Sequence, residues 1–89
     1  MEIGDVRIRL TRKEGILRAI ASITIDGCFV VHDIKIFERD GVCFIGMPSR
    51  RTPEGEYKDI AHPINPDTRT LLQDTILKRY HEVLAEESN

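Results

Sequence analysis

Three features of the sequence predict an α+β domain, in which an antiparallel sheet of about four to five strands forms a meander and one C-terminal amphipathic helix follows it. Apolar and polar residues alternate through most of the first half of the 89-residue chain, which is the period of a half-buried strand. Asp26-Gly27 and Asp40-Gly41 interrupt that alternation with the residues that tight hairpin turns require. Beyond Asn65-Pro66 the apolar spacing lengthens to three and four residues, the period of a helix. A chain of this length has room for one modest core, so residues 1–89 form a single domain, with the sheet over about 2–62, the helix over about 66–85 and an acidic tail at 86–89.

The strands follow in order. In DVRIRL, Val6, Ile8 and Leu10 alternate with Asp5, Arg7 and Arg9, which puts the basic side chains on the face away from the core. TRKEG ends the pattern with a polar cluster and a glycine. The next run places Leu17, Ala19, Ala21, Ile23 and Ile25 on one face and Arg18, Ile20, Ser22 and Thr24 on the other. Both central positions of a type I′ turn need positive φ, which Gly27 adopts freely and Asp26 tolerates.

The returning strand is CFVVHDIKIF. Unbroken alternation there puts Val30, His32, Ile34 and Ile36 toward the core and Phe29, Val31, Asp33, Lys35 and Phe37 away from it. His32 is then expected as a half-buried, hydrogen-bonded histidine among apolar neighbours, since no other ligand stands at metal spacing. The turn through Asp40 and Gly41 leads to VCFIGM, a fourth strand closed by Pro48, which has no amide proton for a ladder.

The helix has a full start signal. Asn65 can cap the first free amides, Pro66 suits the first helical position, and Asp67 complements the positive end of the dipole. Leu72, Ile76, Tyr80 and Val83 or Leu84 recur on one face, with Leu77 broadening the stripe. EESN is expected to fray.

Composition narrows the function. The formal charge is −2 with a pI near 5.9, yet Arg7, Arg9, Arg12, Lys13 and Arg18 gather near the N-terminus, and Glu82, Glu86 and Glu87 near the C-terminus. Cys28 and Cys43 are too few for a disulfide framework, and no CxxC pair offers zinc spacing, so neither a metal nor another cofactor is expected. The N-terminal stretch carries charge among its apolar residues, which predicts neither a signal peptide nor a membrane span and points to a cytoplasmic protein with reduced thiols. A small core without metal or disulfide leaves self-association as the expected source of extra stability.

The segment MPSRRTPEGEYKDIAHPI, residues 47–64, carries the candidate site. Pro48 and Pro53 bracket Arg50 and Arg51, restrict the backbone and present two forked donors that suit phosphate oxygens. Ser49 and Thr52 add hydroxyls on either side, and Lys58 extends the basic patch if the following arm folds back. Pro53 and Gly55 mark a turn. Two other readings compete. Arg50 and Arg51 can pair with Glu54, Glu56 or Asp59 as an ordinary exposed turn. Asp59 and His62 are close in sequence, but no activated serine or cysteine accompanies them, and His62-Pro63 can simply anchor the start of the helix. The chain has neither GxxxxGK[ST] nor GxGxxG, so no small-molecule nucleotide substrate is expected.

Taken together, RAIASITIDGCFVVHDIKI, GVCFIGMPSRRTPEGEYKDIAHPIN and a helix beginning with TR resemble the SpoVG family, the stage V sporulation protein G group of septation regulators, from Met1 to about Tyr80. The resemblance implies a small bacterial cytosolic protein, not an enzyme, that forms a homodimer, binds DNA and in some members RNA, and influences gene expression, sporulation and septation. It further implies a curved antiparallel sheet with a C-terminal helix, and Arg50, Arg51, Ser49 and Thr52 at the positions that touch nucleic acid. Arg50 stands where lysine is also familiar, which keeps the charge and changes a point donor to a fork. A docking protein of the septation machinery, with nucleic-acid contact incidental, is the rival from another class.

Overall fold

The computed structural model describes residues 1–87, with the backbone alone for residues 12–14. Arg12 and Lys13 of the N-terminal basic cluster therefore have side chains outside the described residues, as do Ser88 and Asn89 of the tail. β1 (Ile3–Glu14), β2 (Leu17–Ile25), β3 (Phe29–Arg39) and β4 (Val42–Gly46) form one antiparallel sheet in the order β1-β2-β3-β4. β5 (Ser49–Arg51) and β6 (Tyr57–Asp59) form a separate antiparallel ribbon, and α1 (Pro66–Glu87) ends the described chain.

The expected turns form for the expected reason. Asp26 and Gly27 have φ of 52° and 66°, Asp40 and Gly41 have 54° and 80°, and Cys28 donates its amide to the Ile25 carbonyl at 3.1 Å. Asn65 also caps as expected, because its Oδ1 accepts from the Thr68 amide at 2.7 Å.

The core lies between one face of the sheet and α1. Ala19, Ala21, Ile23, Ile34, Ile36, Ile45 and Met47 meet Leu72, Ile76 and Tyr80 there. The two alanines of β2 have no exposed surface, and the α1 backbone comes closest to the sheet at β1 and β4 on either side. Val6, Ile8 and Leu10 of β1, with Cys43 and Leu84, pack around this centre.

Two expectations are corrected. In β3 the register moves from Ala21↔Ile34 to Ile23↔Val31, so three steps of β3 match two of β2. Asp33 sits at this bulge with φ of 62°, a left-handed conformation that aspartate tolerates. The extra residue reverses the alternation: Val31 joins the core side, while His32 is exposed on the opposite face, where its Nδ1 lies 3.0 Å from Ser22 Oγ. His32 is thus a surface residue rather than a half-buried one. The helix also continues past Ala85 to Glu87, and Arg79 lies 3.3 Å from Glu82 and 3.6 Å from Glu86, linking neighbouring turns.

At one end of the core Cys43 Sγ donates to Glu38 Oε1 at 3.7 Å. Burial, with the Glu38 charge and hydrogen bond, pushes the thiol pKa above its ordinary value, and Arg18 opposes the shift. Burial chiefly raises the Tyr80 phenol as well, helped by Cys43 and Glu38. The fold therefore favours the neutral thiol and phenol. Their contribution is complete below the unfolded thiol pKa of about 8.5 and is lost as pH rises through the higher folded values. Urea unfolding is expected to give a midpoint that falls between pH 8.5 and 10.5 in the wild type and falls less in Cys43→Ala; equal slopes would contradict the assignment.

Ile76 is fully buried and Leu71 is 45% exposed on the same helix. Ile76→Asp is expected to destabilise the domain by at least about 3 kcal/mol in denaturant unfolding, since it removes core packing and buries a carboxylate. Leu71→Asp is expected to change stability by less than about 0.5 kcal/mol.

Candidate nucleic-acid interface

The segment bearing Arg50 and Arg51 is a two-stranded ribbon rather than a loop. Pro53 follows Thr52 as the first central residue of its turn, the Gly55 amide donates to the Thr52 carbonyl at 2.9 Å, and Gly55 takes φ of 88°. The Thr52 amide donates to the Glu56 carbonyl at 2.7 Å, and the Thr52 hydroxyl accepts from the Glu56 amide at 3.2 Å. Thr52 is therefore a lock on the turn. At the base of the ribbon the Ile60 amide donates to the Pro48 carbonyl at 2.7 Å.

Register then decides which cations meet. Ser49 pairs with Asp59, Arg50 with Lys58 and Arg51 with Tyr57. Directly opposed residues share a face, with Cβ atoms about 5 Å apart, so Arg50 and Lys58 lie side by side. Adjacent residues point to opposite faces, so Arg51 lies on the other side of the ribbon and its guanidinium bends over the turn; a Cβ on Gly55 would stand 3.6 Å from its Nη2. The structure thus brings Lys58 to Arg50, as the folded-back arm requires, and separates Arg50 from Arg51. Ser49 is half-buried beside the exposed Asp59.

None of the three cations is neutralised locally. Among the described residues the ion pairs are Arg7 with Asp5 and Arg79 with Glu82 and Glu86, so Arg50, Arg51 and Lys58 leave Glu54, Glu56 and Asp59 unpaired. Like charges opposed across a ribbon destabilise it, and a phosphate placed between them reverses the sign of that interaction.

Sequence reasoning missed Arg69. An open groove of about 480 Å³ at the foot of the ribbon is lined by Tyr57, Lys58, Asp59, His62, Pro63 and Arg69. Arg69 Nη2 donates to the Ile45 carbonyl at 3.4 Å, which ties the first helical turn to β4. A cation in the first turn opposes the helix dipole, and that mismatch was the available signal. His62 Nδ1 donates to the Pro63 carbonyl at 3.0 Å, the anchoring role expected of it. Asp59 and His62 line the same groove, yet no serine or cysteine joins them there. Among the described residues no group of three His, Cys, Asp or Glu side chains could hold a metal ion, and no helix is long and apolar enough to cross a membrane.

The sequence pattern of the SpoVG family matches residues 1–82. The chain belongs to the SpoVG family. Three SpoVG relatives show how far the similarity extends. A Thermoanaerobacter protein is 57% identical over 88 residues, covering 99% of this chain and 96% of its own. A Caldicellulosiruptor bescii protein is 55% identical over 85 residues, covering 96% of this chain and 97% of its own. A Caldanaerobacter subterraneus protein is 55% identical over 89 residues, covering all of this chain and 98% of its own. Each bears the name "Putative septation protein SpoVG". The ribbon and the capped helix start of this SpoVG chain both lie inside the matched residues.

Replacing one member of the cationic pair separates stability from function. Lys58→Glu is expected to slow amide hydrogen exchange at Arg50 and Thr52, whose amides face the partner strand, by up to about fivefold, because an attractive cross-strand pair replaces a repulsive one. Unchanged or faster exchange would show that Arg50 and Lys58 do not repel.

Proposed function

We propose that this protein is a bacterial regulator acting in septation and sporulation, which binds the phosphate backbone of DNA, and of RNA, through the β5–β6 ribbon of a homodimer. The observation that carries the reading is the opposed pair Arg50–Lys58, two cations held side by side with no carboxylate partner among the described residues. Arg51 on the far side of the ribbon, with Ser49 and Thr52, completes the contact set. A local patch of this kind reconciles phosphate binding with a net charge of −2. Such contacts position the protein on the backbone and read little base sequence.

The dimer reading rests on uncovered apolar surface. Tyr57, Ile60 and Ile64 are 73%, 67% and 89% exposed along the segment that joins ribbon to helix, in a chain whose core is small. Covering these residues with a second copy places two ribbons on one two-fold object, so two modest sites act together. The same apolar residues favour a second reading, in which the segment docks a septation protein and the cations steer the encounter. The named role of the relatives as septation proteins supports a regulator rather than an enzyme, and the groove holds no serine or cysteine beside Asp59 and His62.

Salt separates these readings. Fluorescence anisotropy with labelled duplex DNA is expected to show affinity falling steeply with salt, and the log–log slope is expected to shrink by about 2 per protomer in Arg50→Ala/Arg51→Ala, close to 0.9 per lost phosphate contact. The double variant is expected to unfold at the wild-type urea midpoint. Duplex binding that is absent at low salt in a folded dimer would refute the phosphate reading and assign the segment to a protein partner.

A further inference from the structure

α1 covers only one face of the four-stranded sheet, and the uncovered face has a chemistry of its own. The register carries Arg9↔Ile20↔Lys35↔Gly46 across all four strands in a single row. On one side of that row lie Arg7, Ser22 and His32, around an open depression of about 400 Å³. On the other side Phe37 pairs with Phe44, their ring centroids 5.4 Å apart at 32°. Gly46 makes room for this pair, since a Cβ there would come within 2.7 Å of the Phe37 ring. Phe44 remains 36% exposed on an edge strand, so its ring is available at the surface beside the half-buried ring of Phe37, which lies over Gly46.

We propose that this face is a second binding surface, a platform for single-stranded nucleic acid whose bases stack on Phe44 and whose phosphates meet Arg9 and Lys35. The proposal shares with the preceding reading only the premise that the protein binds nucleic acid; it does not use the ribbon. Charge selects the occupant. Among the described residues Arg9 and Lys35 have no ion pair, and only Arg7 is turned to a carboxylate, Asp5, at 2.9 Å. A second copy laid face to face would bring together two faces on which Arg7, Arg9 and Lys35 outnumber Asp5 and Asp33, whereas an anionic strand with flat apolar bases satisfies both the cations and the ring. From Arg9 on β1 to Phe44 on β4 the sheet spans about 14 Å, at strand spacings of about 4.8 Å. That is the width over which sheet-borne aromatic residues hold two or three bases.

The test uses the full chain and a twelve-residue oligothymidylate. The protein has no tryptophan, so Phe44→Trp introduces a single emitter on the platform. The oligonucleotide is expected to quench that emission on stacking, and Phe44→Ala is expected to weaken single-strand binding about tenfold while changing duplex affinity less than about twofold. Lys35→Glu, at a position that is not fully buried, is expected to weaken single-strand binding without touching the ring. Emission that stays unquenched while anisotropy reports a bound strand would overturn the proposal, as would blue-shifted emission blind to the strand, which would mean that protein covers the face. Duplex binding lost in Arg50→Ala/Arg51→Ala with quenching retained would support two separate surfaces. Duplex binding intact with no quenching would remove the platform alone, and no binding of either nucleic acid would remove both readings.

Discussion

Everything in this protein depends on one contact: the stripe Leu72, Ile76 and Tyr80 of α1 laid on Ala19, Ala21, Ile34, Ile36 and Ile45 of the sheet. A single helix can bury only one face of a sheet. The consequence is a molecule with a small apolar centre and two uncovered regions, the ribbon with its following segment and the sheet face opposite the helix. Among the described residues both regions present cations outside any ion pair, Arg50, Arg51 and Lys58 on the ribbon and Arg9 and Lys35 on the sheet face, and none of these is in the core. Surface free of a packing role can carry charge that the fold itself does not neutralise.

The ribbon shows how local chemistry shapes that freedom. Thr52 and Gly55 fix the turn through backbone amides and a hydroxyl, so the register is set without help from the charged residues. Once Thr52 pairs with Glu56, Arg50 must oppose Lys58 and Arg51 must oppose Tyr57. The repulsive pair is thus imposed by the turn, and its persistence beside available carboxylates is the physical basis for assigning it to an anion. Arg69, anchored to the Ile45 carbonyl, adds a further cation at the ribbon's foot.

Much of the fold was legible in the sequence because its signals are local. Asp-Gly turns, the Asn65-Pro66 cap and the three-and-four spacing of the helix each rest on neighbouring residues, and each appears where those residues put it. The fate of His32 was not legible, since nothing in VVHDI announces that Asp33 adopts a left-handed bulge; that choice depends on matching β3 to β2. For the candidate site, sequence proximity identified Arg50 and Arg51 but suggested that they act as neighbours. The pleat separates them, and the partner of Arg50 is Lys58, eight residues away, which only the register reveals. Arg69 is further still in sequence and reaches the groove through the packing of α1 against β4.

The central claim is that the opposed cations of the ribbon hold phosphate. An NMR titration of the isotope-labelled protein with a short DNA duplex at low salt tests it most directly, through the backbone amides and the arginine side-chain signals. The account predicts the largest shifts at Arg50, Arg51, Thr52 and Lys58, reversed by added salt. Shifts centred on Tyr57, Ile60 and Ile64 and insensitive to salt, with Arg50 and Lys58 unmoved, would contradict it.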